Sequence, residues 1–377
     1  MKKDWGIYVH IPFCRRKCAY CDFVSFADND AAITEYINAL TTEINYRMPE
    51  NIGKYDKPAT LYIGGGTPSL LRAKDIEKIF SVMDRWTNIG DFAEITIEAN
   101  PESVTKDKLT AYKNFGVNRI SFGVQSFNDN ILKRIGRLHT AREAINAVTL
   151  AKEIGFGNVS LDLMYALPGE TLEDLRSDIE TAAKLEPEHI SAYCLTLEEG
   201  TPLYKKWNSG EMDFPSQEEE SAMYDLATTM LPQLGFSRYE ISNFAKEGKH
   251  SRHNMLYWTD APYLGVGLAA ASYTDNERYK NIDNLAEYIA NPIMSRIKEE
   301  RSESDGEFEY VFLALRTVKG LDKADYAGKY NIEFKKRYEK SLAKLISAGL
   351  MIEDAKYFRL TERGFKVSNE VFGEFIG

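Results

Sequence analysis

Apolar residues form short runs along the first half of the chain, most of them apolar on successive residues as in strands covered on both faces. Six such runs predict strands at residues 5–11, 59–63, 94–98, 119–124, 159–164 and 189–195. Between them, amphipathic stretches predict helices at residues 33–47, 74–86, 141–154 and 172–185. This alternation predicts an α/β fold with a parallel sheet, and six units favour a partial (β/α)6 barrel over a full eight-stranded one.

The pattern changes near residue 200. Residues 218–231 predict a helix, whereas residues 238–243 and the chain from Tyr257 onwards predict an added sheet edge with loops. From about Glu307 helices dominate, and a helix, a turn at Gly349 and two short strands predict a winged-helix-like α+β domain. We therefore expect three parts: a barrel at 1–200, a barrel extension and connecting region at 201–300, and a smaller C-terminal domain at 301–377.

Composition narrows the class of protein. Apolar residues make up 44% of the 377 residues and charged residues 28%, which predicts a packed core under a solvated surface. The net charge of −10 weighs against a nucleic-acid partner. The longest apolar stretch, at 263–273, is about half of the roughly 20 residues that span a bilayer. Residues 1–4 do not resemble a signal peptide, so we expect a cytoplasmic protein.

Three of the four cysteines lie within eight residues, as a C-x3-C-x2-C run of Cys14, Cys18 and Cys21. Three thiolates can each hold one iron of a cubane cluster and leave the fourth iron open to a small molecule. The basic residues 15–17 should lower the thiol pKa values. Structural zinc usually needs a second pair of ligands, and Cys194 is a single distant thiol. The pattern predicts a [4Fe-4S] cluster, with zinc or unrelated buried thiols as the alternatives.

A glycine run and three polar residues mark the ends of predicted strands. Residues 64–69 read Gly-Gly-Gly-Thr-Pro-Ser, which lets the backbone approach a ligand closely, although a tight turn would use the same residues. Glu98, Gln125 and Asp162 stand at or near the ends of other strands. The carboxyl ends of barrel strands form the site, so these side chains should converge above the cysteine loop. Taken singly, each of these residues is better interpreted as a buried cap or turn residue.

The cysteine run, preceded by Tyr-Val-His-Ile-Pro-Phe at 8–13, resembles radical SAM proteins of the oxygen-independent coproporphyrinogen III oxidase group. The resemblance extends along nearly the whole chain and implies S-adenosylmethionine beside the cluster. It implies that Arg137 pairs with the carboxylate of this cofactor, although a solvated charge at a helix end is the alternative. The cofactor contacts that it implies are Tyr8, Tyr20, Gly65, Gly66, Thr67, Glu98, Gln125, Arg137 and Asp162.

Two departures set the chain apart from the oxidases of this group. They place a further cysteine two residues after the third, where this chain has Phe23, and they carry an N-terminal arm, where this chain has thirteen residues before Cys14. Both departures resemble the heme chaperone branch, which also carries a His-Asn-x-x-Tyr-Trp motif, here at 253–258. The resemblance makes His253 a candidate heme ligand and His250 its reserve, the alternative being a loop histidine that caps its own turn.

Three functions follow as hypotheses. The first is a chaperone that binds heme and delivers it to hemoproteins, which the resemblance places among membrane respiratory enzymes. The second is a coproporphyrinogen III dehydrogenase, and the third is a cluster-bearing regulator that docks on nucleic acid. Phe23 and the short N-terminus favour the first over the second, and the acidic charge weighs against the third. We further expect peripheral membrane association through a partner and a homodimer; no catalytic residue is assigned.

Overall fold

A computed structural model of the chain describes residues 4–27, 30–55 and 57–376. All six predicted strands are present, as β1 and β4 to β8, and they lie parallel in the order β1-β4-β5-β6-β7-β8. The short strands β2 and β3 pair beside the cysteine loop. The strands β1 to β8 are Gly6–Ile11, Phe13–Cys14, Phe26–Ala27, Thr60–Gly65, Glu94–Ala99, Arg119–Gln125, Val159–Tyr165 and His189–Cys194.

Helices connect these strands, and the four predicted ones are present as α1, α2, α5 and α6. Thr140 and Thr171 begin α5 and α6 with capping boxes, in which side chain and backbone satisfy each other's hydrogen bonds. The helices α1 to α6 are Asp30–Ile52, Ala73–Met83, Lys106–Asn114, Asp129–Arg134, Ala141–Ile154 and Leu172–Lys184. Short 3-10 segments lie at Pro68–Leu70, Ile89–Asp91, Pro101–Ser103 and Pro292–Ser295.

Side chains on the barrel strands alternate between two buried faces. In β6, Ile120 and Phe122 pack into the main apolar core under the helices, whereas Arg119 and Ser121 line a cavity inside the barrel. The strands are thus covered on both faces, as predicted, but their inner face is polar. The expectation of apolar residues on both faces was therefore wrong, because the interior of this barrel is built to hold polar groups.

Residues 202–298 extend the sheet at both ends, so that it holds twelve strands from β14 to β9. Beside β1, β11 adds a further parallel strand beyond the six predicted. The edge predicted from Tyr257 onwards was placed too early, because Tyr257 lies in α9 and β11 starts at Tyr263. In chain order the elements are α7 Pro202–Asn208, α8 Gln217–Gln233, β9 Ser237–Arg238, β10 Asn243–Ala245, α9 Arg252–Trp258, β11 Tyr263–Val266, β12 Ala271–Thr274, β13 Glu277–Asn281, α10 Leu285–Ala290 and β14 Arg296–Lys298.

The C-terminal part has its own apolar core, which includes Val311, Phe334 and Phe358. Helices precede a β-hairpin as predicted, and the antiparallel strands lie in the order β15-β17-β16. The boundaries at residues 200 and 300 stay predictions. Its elements are α11 Glu303–Leu315, β15 Leu321–Asp322, α12 Lys323–Tyr330, α13 Phe334–Arg337, α14 Glu339–Ser347, β16 Met351–Glu353, β17 Tyr357–Leu360, α15 Glu362–Lys366 and α16 Ser368–Gly373. Among the described residues, no helix has the length and apolar character that crossing a membrane requires.

A buried carboxylate joins α1 to the chain that follows β11. Glu43 is completely buried and accepts hydrogen bonds from the Gly267 backbone N–H (2.8 Å), Asn281 Nδ2 (2.7 Å) and the Tyr288 hydroxyl (2.7 Å). Arg47, one helical turn further along α1, lies 3.6 Å from it. Burying a carboxylate is unfavourable unless its oxygens are fully hydrogen-bonded, and here they are. This network therefore joins α1 to the residue after β11 at Gly267, to β13 at Asn281 and to α10 at Tyr288.

Replacing Glu43 with Ala should lower the free energy of unfolding by about 2–4 kcal/mol, because it leaves buried donors without an acceptor. Denaturant titration of the free energy measures the change. Glu35→Ala is the matched control, since Glu35 is exposed on the same helix, and it should change the value by less than about 0.5 kcal/mol. Equal stability of the two variants would show that the network does not hold the two segments together.

Candidate cofactor-binding site

The cysteine loop is held against the turn that follows α4. Cys14 ends β2, and Cys18 and Cys21 follow in the loop; all three thiols are free and half-buried. The Arg16 guanidinium donates to the Gly136 carbonyl at 2.8 Å, and the Ala19 backbone N–H donates to Ile135 at 3.1 Å. A backbone hydrogen bond and a guanidinium therefore both hold the loop against this turn.

A cavity of about 560 Å³ lies between this loop and the carboxyl ends of the barrel strands. All three cysteines line it, and the structure brings eight of the predicted cofactor contacts to its wall: Tyr20, Gly65, Gly66, Thr67, Glu98, Gln125, Arg137 and Asp162. Cys194, at the end of β8, is not among the described residues that line it. Tyr8 and His253 line a different, deeper cavity.

The glycine run brings backbone into close contact with the cysteine loop. A Cβ atom on Gly66 would lie 2.7 Å from the Phe13 carbonyl oxygen and 3.0 Å from Cys14 Sγ, so only glycine fits. Gly65 has a φ of +115°, and its N–H donates to Glu98 Oε2 at 3.0 Å. Thr67 Oγ1 donates to Cys14 Sγ at 3.5 Å. Strand end, glutamate and cysteine thus form one rigid wall of the cavity.

Arg137 spans the cavity from the cysteine loop to the strand ends. Its Nη1 lies 3.6 Å from Cys18 Sγ, and its Nη2 donates to Asn100 Oδ1 at 2.7 Å and to the Gly123 carbonyl. Its Nε is buried and has no hydrogen-bond partner among the described residues, and the same holds for Gln125 Oε1. Burial disfavours its charge, but Tyr20 and Cys18 outweigh this and keep the pKa of Arg137 above its ordinary value. An unpaired donor and an unpaired acceptor at one cavity indicate a polar ligand.

Two half-buried carboxyl groups, those of Glu98 and Asp162, line the cavity where it meets the barrel interior. Glu98 accepts the Tyr62 hydroxyl at 2.7 Å, and burial raises the pKa of Glu98 to about 7 although this bond opposes the shift. Asp162 accepts the Ser191 hydroxyl at 2.9 Å and the Ser121 hydroxyl at 3.3 Å. Burial also raises the pKa of Asp162, against these bonds. Both groups are therefore placed to accept hydrogen bonds from hydroxyl or ammonium donors.

The electrostatic expectation for the thiols was wrong. Burial raises the pKa values of Cys14 and Cys21, and the Lys17 charge is only a minor opposing influence on Cys21. The reason is geometric: Lys17 Nζ donates to the Phe23 carbonyl at 3.0 Å, and Arg16 is directed to Gly136. Arg16 and Lys17 therefore bind backbone carbonyls, whereas metal binding would have to supply the deprotonation of the thiols.

The arrangement of the cysteines matches a cluster better than a single ion. Within the described ranges, no group of three or more His, Cys, Asp or Glu side chains is placed to hold one metal ion. A cubane needs wider spacing, because each thiolate binds a different iron. Three free thiols line the edge of one cavity, which also leaves space for a second ligand.

The deeper cavity, of about 280 Å³, reaches the motif at 253–258. His253 is completely buried: its Nδ1 is 2.7 Å from Thr60 Oγ1, and its Nε2 is 2.8 Å from the Tyr257 hydroxyl. Burial lowers the pKa of His253 to about 3, so the ring is neutral. His250 is exposed and stacks on Tyr239, with ring centroids 4.2 Å apart. The two candidate histidines are therefore in opposite environments.

Sequence reasoning missed several residues of the site, because they stand on the inner face of strands that we interpreted as apolar. Asn100 joins Thr67 and Arg137 through hydrogen bonds of 3.1 and 2.7 Å. Other missed residues are Tyr62, Ser121, Ser191 and Tyr193. For Ser121, Ser191 and Tyr193 the signal was the recurrence of polar residues at alternate positions of β6 to β8, interrupted at Gly123 and Met164, which predicts a largely polar inner face.

Glu98→Gln should stabilise the ligand-free chain at pH 8 by on the order of 1–3 kcal/mol and leave it unchanged at pH 4. The pKa of Glu98 is raised from 4.5 to about 7 in the folded state. The contribution of Glu98 to the free energy of unfolding is therefore greatest below pH 4.5 and is lost as the pH rises through 7. Glutamine does not ionise, so the variant does not show this loss. Unfolding free energies at the two pH values test it, with the exposed Glu153→Gln as control. Destabilisation by the same amount at both pH values would contradict the assignment.

Comparison with known proteins identifies the family. Residues 8–182 match the family model of the Radical SAM superfamily, and residues 305–367 match that of the HemN C-terminal domain. The chain is 38% identical over 377 residues to the heme chaperone HemW of Bacillus subtilis, covering 98% of each chain. It is 31% identical over 382 residues to the heme chaperone HemW of Escherichia coli, again covering 98% of each.

A solved structure shares the whole fold. Coproporphyrinogen III oxidase (HemN) from Escherichia coli, described as a radical SAM enzyme, superimposes with a TM-score of 0.86 at 23% identity. The match covers 100% of this chain and 90% of that one, and it confirms the predicted α/β barrel with a C-terminal domain. The chain therefore belongs to the HemW family of radical SAM proteins.

Proposed function

We propose that Cys14, Cys18 and Cys21 hold a [4Fe-4S] cluster and that S-adenosylmethionine occupies the cavity beside it. Radical SAM kinship implies both groups, and the donor set fits them. Three free thiols edge the cavity, and the buried Arg137 Nε and Gln125 Oε1 lack partners that a polar cofactor would supply. When bound, the cluster supplies one electron for cleavage of the cofactor's sulfonium.

The residues of the chain would bind and orient the cofactor. Gly65 and Gly66 let the backbone approach its amino group, and the Arg137 guanidinium suits a carboxylate. Glu98 and Asp162 accept hydrogen bonds from hydroxyl or amine donors at the inner end. Because Arg137 and Glu98 are already held by Asn100 and Tyr62, binding needs little rearrangement.

The function that we propose is binding of heme and its delivery to hemoproteins. The observation that carries it is the 38% identity, over 98% of both chains, to a protein named heme chaperone HemW. Phe23 supports it against the dehydrogenase alternative, because the oxidases place a cysteine there; its side chain is 66% exposed and lines the cofactor cavity. We further propose a cytoplasmic homodimer that reaches membrane respiratory enzymes through a partner.

The heme ligand remains a choice between two histidines. Coordination by one ring nitrogen of His253 would break the hydrogen bond of that nitrogen, to Thr60 at Nδ1 or to Tyr257 at Nε2, so heme binding there would reorganise α9. His250 is exposed and needs no such change. We retain His253 as the first candidate because it opens the branch motif, and the neutral ring that burial enforces is the form that binds iron.

Replacing Cys14, Cys18 or Cys21 singly with Ala should abolish the visible absorption of the anaerobically reconstituted cluster. Wild-type protein should contain about four irons per chain, because three thiolates hold a cubane. Cys194→Ala is the matched control, since Cys194 is also free and half-buried, and it should keep the cluster. An intact cluster in any of the first three variants would remove that residue from the ligand set.

Heme titration and a turnover assay on one reconstituted preparation separate chaperone from dehydrogenase. Heme should bind in stoichiometric amount with a defined Soret band, and coproporphyrinogen III with S-adenosylmethionine and reductant should yield no protoporphyrinogen. His253→Ala should shift or weaken the heme spectrum and leave iron content unchanged. His189→Ala is the matched control, because His189 is also buried, with its ring nitrogens 2.8 Å from Ser160 and Tyr239 hydroxyls.

Three results would change the proposal. Equal loss of heme binding in His189→Ala would show that His253 acts through stability alone. A spectrum altered only by His250→Ala would transfer the ligand to His250. Decarboxylation at enzyme-like rates, with heme bound no better than to an unrelated acidic protein, would establish the dehydrogenase instead.

A further inference from the structure

Arg119 is a buried arginine for which the described residues supply no hydrogen-bond partner. It begins β6, its residue is 2% exposed, and it lines the 280 Å³ cavity inside the barrel. Among the described residues its guanidinium forms no hydrogen bond and no ion pair, and its Nε is one of the buried atoms that lack a partner. A buried guanidinium stays charged, and burying that charge without a hydrogen-bonded counterion is unfavourable.

The carboxylates near Arg119 are committed to other donors. Glu94 accepts the backbone N–H groups of Arg252 and His253 at 2.9 and 3.0 Å. Asp162 accepts the hydroxyls of Ser121 and Ser191. Both carboxylates favour the charged guanidinium at a distance, which keeps the pKa of Arg119 above its ordinary value although burial opposes this. Direct contact with a pair of oxygens is what the guanidinium lacks.

The same cavity contains a second unpaired group. Asn243 Oδ1 is buried and finds no partner in the described part of the chain, whereas its Nδ2 donates to Glu240. The wall also includes Tyr193 and Ser191, so the cavity is lined by further polar side chains. The volume exceeds what a single water needs, and a polar cavity of this size holds either several waters or a small polar ligand.

We propose that this cavity binds a small carboxylate, held by the Arg119 guanidinium. The planar fork of a guanidinium matches the two oxygens of a carboxylate. A singly charged anion fits better than phosphate, because Glu98 and Asp162 also line the cavity and would repel a second negative charge. The proposal goes beyond heme binding and does not depend on it.

The ligand would enter from the cofactor cavity. Glu98, Ser121, Asp162 and Tyr193 line both spaces, so the carboxylate site lies directly behind the place proposed for S-adenosylmethionine. A carboxylate held there would lie between the cofactor and the motif at 253–258, whose His253, Asn254 and Tyr257 form part of the same wall. The proposed carboxylate site therefore adjoins the cofactor cavity.

Trifluoroacetate observed by fluorine NMR, and acetate in calorimetry, are the probes for this site in the reconstituted full chain. We expect saturable binding of both, displacement of trifluoroacetate by acetate, and no displacement by chloride at the same ionic strength. Arg119→Gln should weaken binding at least about tenfold, and Arg119→Lys by less, because it keeps the charge and loses the fork. Arg296→Gln is the matched control: it also removes an arginine with an unpartnered Nε, but one that lines a different cavity, and affinity should be unchanged.

Two results would overturn the proposal. The first is an absence of saturable binding, which would mean that the cavity holds water alone. The second is an affinity that Arg119→Lys leaves unchanged, and this variant decides the matter if Arg119→Gln does not fold. Repeating the titration on Cys14→Ala protein separates this inference from the proposed function, because carboxylate binding should persist when the cluster is absent.

Discussion

The polar inner face of the barrel is the constraint on which the rest of the structure depends. Strands β4 to β8 direct apolar side chains toward the helices and polar ones inward, where they are buried or half-buried. Each inward group then needs a partner from the protein or from a ligand. The pairs Tyr62–Glu98 and Ser191–Asp162 satisfy this requirement internally. Among the described residues, no hydrogen-bond partner is present for Arg137 Nε, Gln125 Oε1 or Arg119 Nε.

These three unpaired atoms belong to residues that line the two neighbouring cavities. Arg137 and Gln125 line the cofactor cavity beside the cysteine loop, and Arg119 lines the adjoining cavity inside the barrel. Glu98 connects the two spaces, since it accepts a hydrogen bond from the Gly65 N–H and one from the Tyr62 hydroxyl. The Tyr62 ring in turn stacks on His253 at 5.1 Å. The proposed cofactor site and the branch motif are thus in physical contact through one continuous polar wall.

The added strands and the C-terminal domain complete this arrangement from outside. Strand β11 pairs with β1 and places α9 against β4, so that His253 reaches Thr60 and its backbone N–H reaches Glu94. Trp258, the last residue of the motif, lies under the Arg316 guanidinium at 4.3 Å, at the start of the C-terminal part. A movement of α9 would therefore change its contacts with the barrel and with the C-terminal domain together.

The sequence by itself determined the features that depend on local order. Three patterns are formed by neighbouring residues: the strand–helix alternation, the three-cysteine run and the glycine run. The sequence therefore predicted β1, β4 to β8 and the cavity wall at Gly65 and Gly66. Tertiary structure alone decided the partners of each polar group. Arg137 meets Cys18 across 119 residues and Asn100 across 37, and Thr60 meets His253 across 193. Burial, not the adjacent basic run, sets the direction of the pKa shifts of Cys14 and Cys21. The reason is that hydrogen bonding and desolvation act through space, and no local pattern encodes which distant group will fill that space.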